Sequence, residues 1–333
     1  MKIEKKQIDE LNIQLTVKIT GEDYAEISRK KTAEVKRNAD FKGFRKGMVP
    51  ASLIQKLYGE QILVDSVNQV VSTSLDDYIK TKKLNLLGEP LASEKQPEIE
   101  WVAGNDFTFV FDAALSPEVK VEAGKDDEIA NYTVTLSADD KKKMAETLKK
   151  IESEKKENPN PKTDEQIETE AAERLTEQYK QEAEWRLNKD IRDYFVQKAG
   201  LSLPVDFLKR WLFAANNGKF TKEDIEKEFD GFAADFKWQM VRGTFMEKYG
   251  LKIVDKDIEE AAEAFVTYQY AMYGLGGVPK EMIQEAAKNV LSDQKQVERL
   301  IEQVEDQKVI AKLKEEVTLK AKKITAAKFR ELK

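Results

Sequence analysis

The sequence predicts an α+β protein: an N-terminal domain with an antiparallel sheet, followed by an extended all-α body with helical arms. Three observations carry this. Apolar and polar residues alternate over 12–20 and again over 106–115, the period-2 pattern of half-buried strands. Beyond residue 136 no strand pattern is found, and apolar side chains recur at helical intervals. Glycine and proline then punctuate the helical part into hairpins.

In the first strand Ile13, Leu15, Val17 and Ile19 point one way, Gln14, Thr16 and Lys18 the other. Gly21 ends it, and 22–40 reads as a helix with Tyr24, Ile27 and Val35 facing inward. Phe41 to Pro50 holds two glycines and a proline and is a loop. From Ala51 to Lys82 the residues Ile54, Leu57, Tyr58, Ile62, Val67, Val71, Leu75 and Tyr78 fall at helical intervals, and Gly59 divides the stretch into two helices. Strands are expected at Glu98–Val102 and Asp106–Leu115, the second with Phe107, Phe109 and Phe111 on one face. After Pro117, Val119–Glu122 and Tyr132–Leu136 read as short strands or extended linker. The expected division is a domain over 1–116, a linker over 117–136 and a helical body over 137–333.

Ser137 caps a helix running to about Lys156, with Asp139 and Asp140 in its first turn, and Asn158-Pro159-Asn160-Pro161 stops it. Thr163 and Gln166 form a capping box for a helix over about 163–199, closed by Gly200. At 1.5 Å per residue it spans roughly 54 Å, the length of an arm. Pro204 starts a helix that Asn217-Gly218 ends. Thr221 caps the next, which reaches about Tyr249 with a break near Gly231. Asp255 caps another to Tyr273, Gly274 to Gly277 turn, and Pro279 starts the last pair. The tail Leu319–Lys333, with six basic residues and one acidic, reads as a solvated helix end.

Composition narrows the chemistry. With no Cys and no His, the chain has no disulfide, no thiol nucleophile and neither the commonest general base nor the commonest metal ligand. No GxxxxGK[ST] loop suggests nucleotide hydrolysis, so no catalytic residue, metal or cofactor is expected. Met1 to Lys6 lacks an apolar signal core and no 18-residue apolar run follows, which predicts a cytoplasmic protein without a membrane partner. The net charge of −6 conceals a local excess of +6 over residues 29–46. Such a patch on an acidic chain points to one anionic docking site.

That patch ends in the loop Phe41-Lys42-Gly43-Phe44-Arg45-Lys46-Gly47-Met48-Val49-Pro50. An aromatic between two glycines, flanked by cations, suits docking on a surface bearing phosphate or carboxylate. The alternative is an ordinary helix connection with a tucked Phe. Gly43-Phe44-Arg45-Lys46-Gly47-Met48-Val49-Pro50 resembles the GFRxGxxP ribosome-binding signature of trigger factor, matching every specified position. The likeness extends to Leu115-Ser116-Pro117-Glu118-Val119, to Leu203-Pro204-Val205-Asp206-Phe207-Leu208 and to Leu251-Lys252-Ile253-Val254-Asp255.

The resemblance implies a ribosome-binding head, a helical body with arms, and docking of Lys42, Gly43, Phe44, Arg45, Lys46 and Gly47 beside the nascent-chain exit tunnel of the large subunit. It implies ATP-independent sheltering of nascent or unfolded polypeptides, and a homodimer off the ribosome. The family's FKBP-like isomerase module, rich in strands and aromatics, belongs between the helix near 138–156 and the one beginning near 163. Only Asn158 to Lys162 lies there, so prolyl isomerisation is not expected. In the body, Met240, Phe245, Met246, Tyr268, Tyr270, Met272 and Tyr273 are candidates for client contact, against a reading as plain helix-packing core. Tyr268, Tyr270, Met272 and Tyr273 wrap their helix and cannot all face one core. Met and aromatic surfaces adapt to many partners. The rivals are a peptidyl-prolyl isomerase and a free-standing SurA-like holdase; the basic tail could also touch ribosomal RNA.

Overall fold

The structure, a computed structural model, describes residues 1–154, 162–216 and 218–332 of the 333-residue chain. Its elements in chain order are β1 (Lys2–Gln7), β2 (Asn12–Ile19), α1 (Gly21–Asn38), α2 (Ala51–Lys82), β3 (Leu91–Ala92), β4 (Phe107–Ala114), β5 (Glu128–Thr135), α3 (Ala138–Glu154) and α4 (Asp164–Ala199). Then follow α5 (Val205–Ala215), α6 (Lys222–Lys248), α7 (Asp255–Met272), α8 (Lys280–Leu291), α9 (Gln294–Glu316), β6 (Thr318–Thr325) and α10 (Ala326–Glu331). They group into two compact units, each discontinuous in sequence. One comprises Met1–Glu118 with Ser202–Ala233, the other Val119–Leu201 with Ala234–Lys333.

The first unit is built on an antiparallel sheet of order β1-β2-β4-β3. Strand alternation does what the sequence predicts: Ile13, Leu15, Val17 and Ile19 are buried, in register with Ala113, Phe111, Phe109 and Phe107. Leu63, Val67, Val70, Val71 and Leu75 of α2 join them in one cluster. Thr20 and Asp23 form the capping box of α1, and Tyr24 one turn on fixes the helix to the sheet by donating to the Asn105 carbonyl at 3.0 Å.

Helix α5 is tied to this sheet by charge. Arg210 donates to Asp112 at 3.0 Å, and Gln14 donates to the same carboxylate at 3.2 Å. Burial alone would raise the Asp112 carboxyl, but these bonds and Ser93 outweigh it and hold it below the usual carboxylate range. The neighbouring Trp211 ring lies so close to Gly88 that a Cβ there would come within 2.5 Å of its indole nitrogen. With φ of +78° as well, position 88 admits glycine alone without strain.

The second unit is organised along α4. Its capping box of Thr163 and Gln166 and its left-handed Gly200 cap are as the sequence predicts. Ile167 and Ala171 pack with Ala145 and Leu148 of α3. Leu175, Tyr179 and Ala183 pack with Ala326 and Phe329 of α10 and with Tyr132 and Val134 of β5. Leu187, Ile191 and Phe195 pack with Trp238, Val241 and Phe245 of α6 and with Val309, Ile310 and Leu313 of α9. Asp127 closes the assembly just before β5. It accepts from Tyr194 and Lys198, each at 2.6 Å, and from the Gly124 amide at 2.9 Å, while its carbonyl accepts from the Thr318 amide at the start of β6.

Several sequence expectations need correction. Helix α2 is unbroken: Gly59 is buried within it, and the packing along its length outweighs the roughly 1 kcal/mol that one interior glycine costs. Helix α6 likewise runs through Gly231. Residues 98–102 form no ladder, and the Gln96 side chain bonds to β4 in the strand's place. It donates to the Thr108 carbonyl and accepts from the Val110 amide, while Ile99 and Trp101 still pack on the core. The body is helical but not without strands: β6 pairs in parallel with β5 across 190 residues, Glu128 opposite Thr318, and the tail is this strand plus α10, not a helix end. At Val119–Glu122 the chain is irregular, whereas 132–135 belongs to β5. Val254, not Asp255, occupies the cap position of α7, where Asp257 accepts from its amide. The stop at Asn158 to Pro161, and Asn217, lie outside the described residues.

Asp127 gives a test of the second unit. Burial would raise its carboxyl, but the bonds from Lys198, Tyr194 and Gly124 prevail and lower it. A carboxyl depressed in the folded state contributes stability that is complete above its unfolded pKa of about 4 and lost as pH falls through the folded value. Asp127→Asn is therefore expected to cost about 1–3 kcal/mol at pH 7. The gap to wild type in guanidinium denaturation should narrow as pH falls below about 4.

Candidate docking loop and apolar surfaces

The loop between α1 and α2 is two consecutive tight turns. The Phe44 amide donates to the Phe41 carbonyl at 2.9 Å and the Met48 amide to the Arg45 carbonyl at 2.8 Å. Gly43 and Gly47 stand third in these turns, with φ of +96° and +85°, which a type II turn requires and L side chains resist. The sequence spacing G-x-x-x-G is thus the backbone's demand, and it presents Phe44, Arg45 and Lys46 between the two glycines.

What lies beneath the loop differs from what lies on it. Val49 is fully buried and packs with Ile54 and Ile62, and Phe41 sets its ring edge-on to Tyr58 at 6.4 Å. Phe44 is 42% exposed and Met48 71%. Lys42, Arg45 and Lys46 are exposed, and among the described residues no hydrogen bond or ion pair engages their side chains. The reading of Phe44 as a tucked connector therefore fails: Phe41 and Val49 anchor the loop, leaving Phe44 beside uncompensated cations.

The candidate client residues separate. Phe245 is fully buried, stacked edge-on against Phe195 at 5.2 Å, so its reading as a client contact is corrected: it is core. Met240 and Met246 are half-buried against the same cluster, and Tyr270 is half-buried against the core of α7, α8 and α9. Tyr268, Met272 and Tyr273 are exposed, as are Leu275 in the glycine turn and Met282 beyond it. Large apolar side chains thus wrap α7, whose end carries an exposed apolar tip.

Sequence reasoning missed a second apolar surface. Helix α5 and the start of α6 enclose a groove of about 410 Å³ lined mainly by Trp211, Leu212, Phe220, Ile225, Phe229 and Phe232. Phe213 and Phe220 are also exposed on this hairpin. Lys209 sits 5.0 Å from the Phe229 ring, and Thr221 caps α6 through Asp224, whose carboxyl those bonds lower. The available signal was the density of aromatics between 207 and 232. Among the described residues there is no cluster of potential metal ligands and no helix long and apolar enough to cross a membrane.

An α+β unit bearing a basic, aromatic-tipped double turn, with apolar helical hairpins elsewhere in the chain, defines a protein whose exposed features suit macromolecular surfaces. In fold it is similar to a solved structure of the trigger factor chaperone from work on promiscuous substrate recognition in folding and assembly. The TM-score is 0.51 and the identity 14%, over 95% of this chain and 100% of that one. Residues 1–151 match the family model described as bacterial trigger factor protein, and residues 183–333 the one described as probable trigger factor, C-terminal domain. The chain belongs to the trigger factor family. Among its relatives, the trigger factor of Psychrobacter sp. strain PRwf-1 is 29% identical over 46% of this chain and 34% of the relative. That of Tolumonas auensis is 31% identical over 42% and 31%. The chain spans about a third of the length of these curated relatives.

Truncation in the two layers of the loop is expected to have unequal effects on stability. Val49→Ala is expected to lower stability by about 1–3 kcal/mol, since it opens a cavity beneath the turns. Phe44→Ala should stay within about 0.5 kcal/mol of wild type. Urea denaturation of both variants measures the difference.

Proposed function

We propose that this protein is a ribosome-docking, ATP-independent holding chaperone that works without prolyl isomerisation. The observation that carries the docking reading is Phe44, held exposed where two glycine-dependent turns meet and flanked by uncompensated Lys42, Arg45 and Lys46. An aromatic anchor with cations fits the mixed protein and phosphate surface of a large ribosomal subunit near the exit tunnel. The residues match the family's ribosome-binding signature position by position, which supports the assignment.

Client contact falls to the apolar groove of α5 and α6 and to the tip formed by Tyr268, Met272 and Tyr273. Covering about 300–400 Å² of client apolar surface yields roughly 8–10 kcal/mol gross. Association and ordering costs of similar size leave weak, reversible binding, so release needs no nucleotide. The absence of isomerase activity is supported by spacing. Only 31 residues, 152–182, separate the two family-matched segments, and their described part consists almost wholly of α3 and α4.

Co-sedimentation with ribosomes across a salt series tests the docking reading. Wild type is expected to pellet in a salt-sensitive way, and the triple variant Phe44→Ala/Arg45→Ala/Lys46→Ala at least about tenfold more weakly, since one hot-spot residue alone is worth that much. Equal pelleting of the two would contradict it.

A further inference from the structure

Beside the docking loop, helices α1 and α2 leave a groove of about 370 Å³. Its lining follows helical spacing on both walls, at 34, 35 and 38 on α1 and at 58, 61, 62 and 65 on α2. Those positions form the seam of a helix pair and ordinarily carry the apolar side chains that close it. Here Val35, Tyr58 and Ile62 make the floor, but Glu34, Asn38, Gln61 and Asp65 are exposed at the rim and the seam stays open. Among the described residues neither the Glu34 nor the Asp65 carboxylate has a hydrogen-bond or ion-pair partner. Lys31, one turn before Glu34 on α1, donates instead to the Asp65 main-chain carbonyl at 2.8 Å. The floor is continuous with the loop, because Val35, Tyr58 and Ile62 belong to the cluster that buries Val49 and Phe41.

We propose that this groove receives a lysine or arginine side chain from a protein partner. An aliphatic stem matches the Val35 and Ile62 floor, an aromatic ring such as that of Tyr58 in the lining attracts a cation, and a carboxylate from each wall meets the charged head. The groove therefore reverses the sign of the loop beside it. Phosphate is attracted to Arg45 and Lys46 but repelled by Glu34 and Asp65. A partner satisfying both must present anionic and cationic groups side by side, as a protein surface does and bare RNA does not. The inference rests on the docking reading for the identity of the partner, and on the groove alone for the chemistry of its occupant.

The test separates the two. Isotope-labelled full-length protein is titrated with acetyl-arginine amide, and with acetyl-glutamine amide as the neutral control. Arginine alone is expected to shift the amide signals of Val35, Asn38, Gln61 and Ile62, and Glu34→Gln/Asp65→Asn to abolish those shifts. The same double variant, whose exposed substitutions leave the loop intact, is expected to bind ribosomes several-fold more weakly than wild type. Arginine shifts that are absent, or that survive in the double variant, overturn the proposal. So does unchanged ribosome affinity in the double variant when the Phe44/Arg45/Lys46 triple variant has lost binding, an outcome that leaves docking by the loop intact. If wild type fails to bind ribosomes, the docking reading falls, and the arginine titration still decides the groove.

Discussion

Along α4 the buried side chains Ile167, Ala171, Leu175, Tyr179, Ala183, Leu187, Ile191 and Phe195 recur every fourth residue, while the helix itself repeats every 3.6. Each step carries the stripe about 40° further round, so over seven steps it turns through about 280°. A stripe that stayed on one face could serve one partner helix. This one serves three in succession: α3 at its start, the β5, β6 and α10 layer in the middle, and the α6 and α9 pair at its end. The second unit depends on that drift, because its parts come from distant stretches of chain that meet on α4. Strand β6 could not lie beside β5, nor Asp127 gather Tyr194 and Lys198, unless α4 presented a fresh apolar face at each level.

The first unit solves a different problem, that of leaving an aromatic in water. The loop is held from below by Phe41 and Val49 and shaped by two glycines at positive φ, while Phe44 and Met48 stay exposed. The side chains that hold the loop and those proposed to dock are thereby different residues of one ten-residue segment. The same division recurs on α7, where Val266 and Ala262 are core and Tyr268 and Met272 are surface. It recurs on α6 in the opposite sense, where Phe245 belongs wholly to the fold.

Legibility in the sequence followed the strength of local signals. The long α4, with its capping box and glycine stop, could be read because each boundary has its own chemistry within a few residues. Strand β2 could be read because one face is fully buried. Strand β1, KIEKKQ, carries a single half-buried apolar residue and the lysines of a guarded edge, so alternation is absent. Strand β6 is lysine-rich for the same reason, and its partner lies 190 residues away, beyond any local pattern. Gly59 and Gly231 misled because a glycine weakens a helix by an amount that tertiary packing exceeds. For the candidate sites, the loop's glycine turns and exposed cations were legible from spacing and charge. The α5 and α6 groove was not, since its aromatics face one another only once the hairpin closes.

The central claim is that one chain docks through the 41–50 loop and holds clients on separate apolar hairpins. Hydrogen exchange across the whole protein tests it most directly, measured free, on empty ribosomes, and on ribosomes carrying a stalled nascent chain. Slowed exchange is expected at residues 41–50 and the adjoining ends of α1 and α2 on empty ribosomes, with 211–232 and 268–282 slowed only when the nascent chain is present. Unchanged exchange at 41–50 on ribosomes, or a nascent chain that protects neither hairpin, would contradict it.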